Sequence, residues 1–163
     1  AGQRNAQTVT RGLVHLTEHH RHLVENVGLL HFMDEKFRVP ATYIPYEKPK
    51  MAYFPDLTGE KSEFPVEGYI AFEFEGNHYQ LDINKEDDGT LFIRFWDLTA
   101  RDESYPTGRY LIADIDSDGK IFVDFNKAYS PPCAFTDFAT CVFAPEQNHL
   151  DFRVTAGETY SHK

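Results

Sequence analysis

The chain is poor in cysteine, in basic residues and in long apolar runs. It has 2 Cys among 163 residues, too few for a secreted scaffold stapled by several disulfides. Sixteen Lys and Arg against 26 Asp and Glu leave a formal net charge of −10. That balance lacks the clustered cations that a phosphate backbone requires, so no nucleic-acid partner is expected. No run of about 18 apolar residues occurs, so no membrane-spanning helix is expected either. The first residues lack the basic-then-apolar order of an export signal, which makes cytoplasm the default compartment. No fixed-period repeat, low-complexity tract or spacer-length linker is present. The tight C-x-x-C pairing of zinc sites is missing as well, and neither a metal nor a cofactor is expected.

Aromatic residues fill the space these absences leave. Fourteen Phe and nine Tyr, with one Trp, make 15% of the chain, and hydrophobic residues make 41%. Such a composition supplies the core of one soluble globular domain and excludes disorder as the main state. The chain divides by texture into residues 1–27, a tail and one helix, and residues 28–163, a β-rich domain. Leu13, Leu16, Leu23 and Val27 fall on one helical stripe with Val24 beside it, predicting a helix near 13–26 that Gly28 ends. His15, His19 and His22 share a face of that helix with His20 adjacent; the choices are a solvated face or a divalent metal site, and no acidic or Cys ligand completes the latter.

From Phe37 the period becomes two. Phe37, Val39, Ala41 and Tyr43 alternate with polar or turn residues, and Pro40 predicts an edge strand. Lys50 to Phe54 reads as a short second strand. Between Glu67 and Asp97, three amphipathic strands alternate: Ile70, Phe72 and Phe74; then Tyr79, Leu81 and Ile83; then Leu91, Ile93 and Phe95. Gly76-Asn77 and Glu86-Asp87-Asp88-Gly89 turn the chain between them, making an antiparallel meander. The exposed sides of the meander offer Tyr69, Tyr79, Phe92 and Trp96 as aromatic surface, a ligand-groove wall or a second packed layer. Arg109–Ile115 and Lys120–Asn126 flank Asp116-Ser-Asp-Gly119, a hairpin turn. A last strand is predicted over Leu150–Val154. Eight or so short strands with one N-terminal helix indicate a mainly β fold, an antiparallel sandwich or a partly open barrel.

Asp124 shares a strand face with Phe122 and Asn126, and a buried carboxylate needs partners. Hairpin pairing brings Arg109 toward Asn126 and Ala128, making it a candidate partner for Asp124. Arg109, Asp124, Asn126 and Tyr129 therefore form either a ligand-holding cluster or a network pinning the irregular 127–135 loop. The expectation on which both readings rest is that Asp124 and Asn126 bond directly to the loop carrying Cys133. Cys133 and Cys141 are read as buried structural thiols or a disulfide pair, against a catalytic or metal role. Asp114, Asp116, Asp118 and Gly119 match the opening of a calcium loop, but Phe125 stands where the closing Glu belongs, which favours a charged hairpin tip.

Several strings carry a resemblance: Tyr105-Pro-Thr-Gly-Arg-Tyr-Leu111, Val123-Asp-Phe-Asn-Lys-Ala-Tyr-Ser-Pro-Pro-Cys-Ala-Phe135, Ala139-Thr-Cys141, Asn148-His-Leu150 and Ala156-Gly-Glu158. Through them the chain resembles the bacterial and archaeal family called domain of unknown function 1684, over roughly four-fifths of its length from about Gly28. The pattern departs at Ser130, usually Asn, and at Val142, usually Pro. The resemblance marks Arg109, Asp124, Asn126, Tyr129, Cys133 and Cys141 as motif residues and implies no reaction.

Three functions compete at this stage. The first is a β-domain that binds a small anionic ligand, or acts as an accessory domain, with Arg109, Asp124, Asn126, Tyr129 and Cys133 as binding candidates. Arg suits a carboxylate or phosphate because its donors are forked. The second is a hydrolase using Cys133 or Asp124 with a nearby His. The third is a structural domain that assembles as a homo-oligomer through the His-rich helix.

Overall fold

In the computed structural model, residues 33–56 and 58–161 are described. The helix expected over 13–26, with its histidines, lies outside the described residues. Within them, helical geometry is confined to short 3₁₀ turns, and the remainder is strand and irregular chain.

Seven strands form one antiparallel sheet: β1 Arg38–Pro55, β2 Lys61–Phe74, β3 Asn77–Lys85, β4 Leu91–Phe95, β5 Arg109–Ile112, β6 Asp114–Ile115 and β7 Ile121–Asp124. Their order is β5-β4-β3-β2-β1-β7-β6. The two outer strands, β5 and β6, are consecutive in sequence with only Ala113 between them. One stretch of chain thus pairs first with β4 and then with β7, and the sheet comes close to closing on itself. Backbone hydrogen bonds between Tyr110 and Tyr129, at 2.8 and 3.0 Å, tighten that seam. The result is a partly open barrel rather than a two-sheet sandwich.

The meander appears where the alternation predicts it. Ile70, Phe72, Phe74, Leu81, Ile83, Leu91, Ile93 and Phe95 are buried together with Leu111, Val123 and Phe125. Phe74 stacks on Phe37 and on Phe152, while Phe125 meets Phe72 and Phe95 edge to face. These offset and edge contacts are the arrangements that aromatic quadrupoles favour.

Three expectations change. The two short strands expected before the meander are one strand of 18 residues, β1, with a register shift between Pro45 and Lys50. A local irregularity accommodates Pro45 and Pro49 without ending the strand. β1 is also internal: Ala41 pairs with Phe72 of β2 on one side and Ile121 of β7 on the other. Pro40 is tolerated because β2 pairing begins only at Ala41, so its missing N–H falls where β7 alone flanks the chain. Finally, Leu150–Val154 is not a strand. Leu150 N–H donates to the Trp96 carbonyl at 2.8 Å, and the chain then runs irregularly over the end of the barrel.

Candidate functional site

The loop chain after β7 covers β4 and β5 and brings most of the nominated residues to one end of the barrel. The end has an inner and an outer side, set by strand alternation. On neighbouring rungs Phe95 pairs with Arg109 and Arg94 with Tyr110. Arg109 and Phe95 point inward; Arg94 and Tyr110 point outward.

Arg109 is fully buried, at 1% exposure. Its Nη2 donates to Asp97 Oδ2 and to the Val154 carbonyl, each at 2.8 Å. Its Nη1 donates to the carbonyls of Ala156 and Glu158. Asp97 itself accepts from Thr99 N at 2.8 Å and from Val154 N at 3.2 Å. This clamp fastens the 154–158 segment to the strands. Gly157, at φ +78°, lies so close to the 125–128 turn that a Cβ would meet the Ala128 carbonyl oxygen at 2.6 Å. Glu158 completes the fastening: its Oε2 accepts from Ser130 N at 2.8 Å.

Arg109 does not meet Asp124. Asp124 is also buried, but its Oδ1 accepts from the backbone N–H and the side-chain amide of Asn126, at 3.2 and 3.0 Å. Arg38 Nε approaches its other oxygen at 3.9 Å. Asn126 in turn accepts from Asp34 N at 2.9 Å and donates to the Asp34 carbonyl at 3.0 Å. The expected anchorage of the Cys133 loop by Asp124 and Asn126 is therefore corrected: this pair fastens Asp34, just ahead of the 3₁₀ turn that leads into β1 and ninety-two positions upstream of Asn126. The reason is geometric. A 3₁₀ turn at Phe125–Lys127 carries Asn126 out of the strand's alternation.

The Cys133 loop is held by other groups. Tyr105 Oη donates to the Cys133 carbonyl at 3.2 Å, and Cys133 N–H donates to Cys141 Sγ at 3.2 Å. Both cysteines are free thiols. Burial, reinforced by hydrogen bonding to the Cys141 thiol, pushes the Cys133 thiol up to about 11. A nucleophilic cysteine needs the opposite shift. Neither described imidazole bonds to these thiols: His149 Nε2 lies 3.3 Å from the Ala144 carbonyl oxygen, and its ring rests on Trp96. Asp124 has no bond to the thiol loop either.

Outside the sheet, the Arg94 guanidinium lies 4.7 Å from the Phe92 ring centre, 5.0 Å from that of Phe64 and 5.7 Å from that of Tyr110. Its Nη1 donates to Asn84 Oδ1, and its Nε is buried without a partner. Among the described residues, no carboxylate lies within ion-pair distance of Arg94. Tyr110 bridges Arg94 and the thiols. Burial, with the neighbouring Cys141, pushes its hydroxyl up to about 12 against the opposing pull of Arg94. Tyr129 packs edge-on against Tyr110, and burial raises its hydroxyl too. Tyr129 and Cys133 thus join this outer group, Arg109 belongs to the inner clamp, and Asp124 with Asn126 belongs to the start of β1.

Asp97, Asn148 and Arg94 were not singled out by the sequence. Asn148 is the most informative of them. Its amide donates to the carbonyls of Asp82 and Arg94 at 2.8 and 2.7 Å and accepts from Asp82 N at 2.6 Å, so one buried side chain bridges β3 and β4 where their backbones part. Asp97 had a readable signal, an acid two residues before Thr99 at a strand end, which is a capping pattern. The calcium-like loop is a hairpin tip: Asp116 Oδ1 accepts from Asp118 N and Lys120 N at 2.9 and 2.8 Å. Among the described residues, no group of three or more His, Cys, Asp or Glu is placed to hold a metal ion. No described helix is long and apolar enough to cross a membrane. Two shallow hollows, one around His78, Tyr79, Gln80 and Gln147 and one around Thr42, Lys120 and Phe122, include none of Arg109, Asp124, Asn126, Tyr129, Cys133 and Cys141.

Comparison with known proteins agrees with this architecture. Among curated proteins, none matches the chain. The solution NMR structure of the uncharacterized protein from gene locus rrnAC0354 of Haloarcula marismortui is similar, with 31% identity and a TM-score of 0.66 over 88% of this chain and 81% of that one. A family model described as protein of unknown function (DUF1684) matches residues 28–159. By that match, which takes in β1 to β7 and both sides of the barrel end, the chain belongs to the DUF1684 family.

Proposed function

We propose that this domain is a binding module for a small anionic ligand, taken up on the outer face of β4 and β5 at Arg94. The observation that carries the reading is the state of that guanidinium. It sits among aromatic rings in a chain of net charge −10, yet it pairs with no described carboxylate and its Nε is unused. An Arg without a counter-ion favours a planar carboxylate or a phosphate over a point charge. The rings of Phe92 and Tyr110 offer stacking area beside it. The role first expected of Arg109 passes to Arg94, because Arg109 already has a buried counter-ion in Asp97 and bonds to three backbone carbonyls. The hydrolase reading gains no support from a Cys133 thiol that burial keeps protonated.

The test is a thermal-shift and NMR titration with inorganic phosphate, citrate and benzoate on the wild type and on Arg94→Gln. Stabilisation of the wild type by at least one probe, lost in Arg94→Gln, supports the reading. Equal responses in the two proteins, or none in either, overturn it.

A further inference from the structure

The two thiols lie eight positions apart, and the turn at Pro132–Ala134 folds the chain back so that Cys133 N–H reaches Cys141 Sγ at 3.2 Å. Their exposures differ: Cys133 is partly open to solvent and Cys141 is buried. The chain between them is held loosely. Among the described residues, 136–140 hydrogen-bond only within themselves, through Ala139 N to the Thr136 carbonyl and Phe138 N to Thr136 Oγ1. Phe138 is fully exposed.

We propose that Cys133 and Cys141 form a redox latch, converted to an intramolecular disulfide by a small-molecule disulfide of the oxidised glutathione class. Cys133 attacks first, because a solute can reach it. Its thiolate displaces one thiolate of the oxidant and forms a mixed disulfide, releasing its proton to water. The Cys141 thiolate then attacks the Cys133 sulfur and expels the second small thiolate. Two protein thiols and one oxidant disulfide become one protein disulfide and two small thiols, so electrons and protons balance. Cys141 is shielded from the oxidant and adjacent to Cys133, which suits it to the resolving role. The raised Cys133 pKa makes the first attack slow near neutrality and faster as pH rises. Closing the latch constrains a segment that hydrogen bonds leave untied. It depends on neither Arg94 nor the ligand reading.

The test uses folded, reduced protein incubated with oxidised glutathione. Free thiols are expected to fall from two to none, with a mass loss of two hydrogens and no adduct. Chymotrypsin supplies an independent readout, because Phe135 and Phe138 are exposed between the cysteines. After oxidation, fragments cut there should stay joined without reductant and separate with it. Cys141→Ser should accumulate the glutathione adduct at Cys133, and Cys133→Ser should react many-fold more slowly than the wild type. The proposal is overturned if the wild type keeps both thiols, if it halts at the adduct, or if the cut fragments separate without reductant. The proteolysis readout needs no variant and so survives a variant that fails to fold.

Discussion

Arg94 and Arg109 sit on adjacent rungs of the same strand pair and face opposite ways. Inward, Arg109 meets a carboxylate and three carbonyls in a fully buried clamp. Outward, Arg94 meets aromatic faces, one amide oxygen and the Tyr110 hydroxyl, with no described carboxylate beside it. The same side chain is a structural rivet on one face and an available cation on the other. Residue type and sequence neighbourhood do not separate these roles. Partner type does: Arg109 meets a carboxylate and backbone carbonyls, Arg94 meets rings and an amide oxygen, and each leaves its Nε buried without a partner.

The comparison is sharpest in stability. Arg109→Met leaves Asp97 buried and unpaired, and should lower unfolding free energy in urea by about 3 to 5 kcal/mol. Arg94→Met should cost about 1 kcal/mol, the scale of its cation–π contacts. Equal losses would erase the distinction between the two faces.

Gly157 tests the inner clamp without touching charge. Gly157 and Gly119 share a φ of +78°, but only Gly157 has backbone where a Cβ would go. Gly119→Ala should cost about 1 to 2 kcal/mol, the penalty of left-handed backbone alone. Gly157→Ala should cost about 1 to 3 kcal/mol more, through crowding against the 125–128 turn. Matching values in chemical denaturation would mean that the 154–158 segment is not tightly docked.

Asn126 marks a third, smaller anchorage. Asn126→Ala removes both bonds to Asp34 and should cost about 1 to 2 kcal/mol. Hydrogen exchange should show faster opening at 34–37 with little change at Cys133. Loosening of the thiol loop instead would restore Asp124 and Asn126 as its anchors.

The smallest effect concerns alkaline pH and the outer face. The Cys133 thiol is raised from 9.0 to about 11. Below about pH 9 it is neutral in both folded and unfolded chains, and the native preference for the neutral form is fully present. Above that, the unfolded chain releases the proton first, so stability falls as pH rises toward about 11. Urea midpoints should therefore drop across this window, and less so in Cys133→Ser. Tyr110, raised from 10.0 to about 12, extends the fall to higher pH in both proteins.

Legibility in the sequence followed periodicity. The meander was readable because Ile70, Phe72 and Phe74, and the matching triplets that follow, alternate over enough residues to define a face. The continuity of β1 was not, because Pro45 and Pro49 look like terminators and the pairing that carries the strand past them comes from β2. The motif residues could be found as a string but not assigned to sites. Tyr129 pairs with Tyr110 on the outer side while Arg109 turns inward to Asp97, Asp124 and Asn126 turn away to Asp34, and Asn148 bridges a gap that no local pattern announces.

By itself, the amino-acid order determined which residues make the barrel wall and which way they face, because a strand's two-residue period is a local property of the backbone. Only the tertiary structure decided which arginine meets a carboxylate and which meets aromatic rings, and that Cys141 Sγ comes to the Cys133 backbone. Those outcomes depend on long-range chain returns, and hydrogen-bond partners are fixed only when distant segments arrive in the same place.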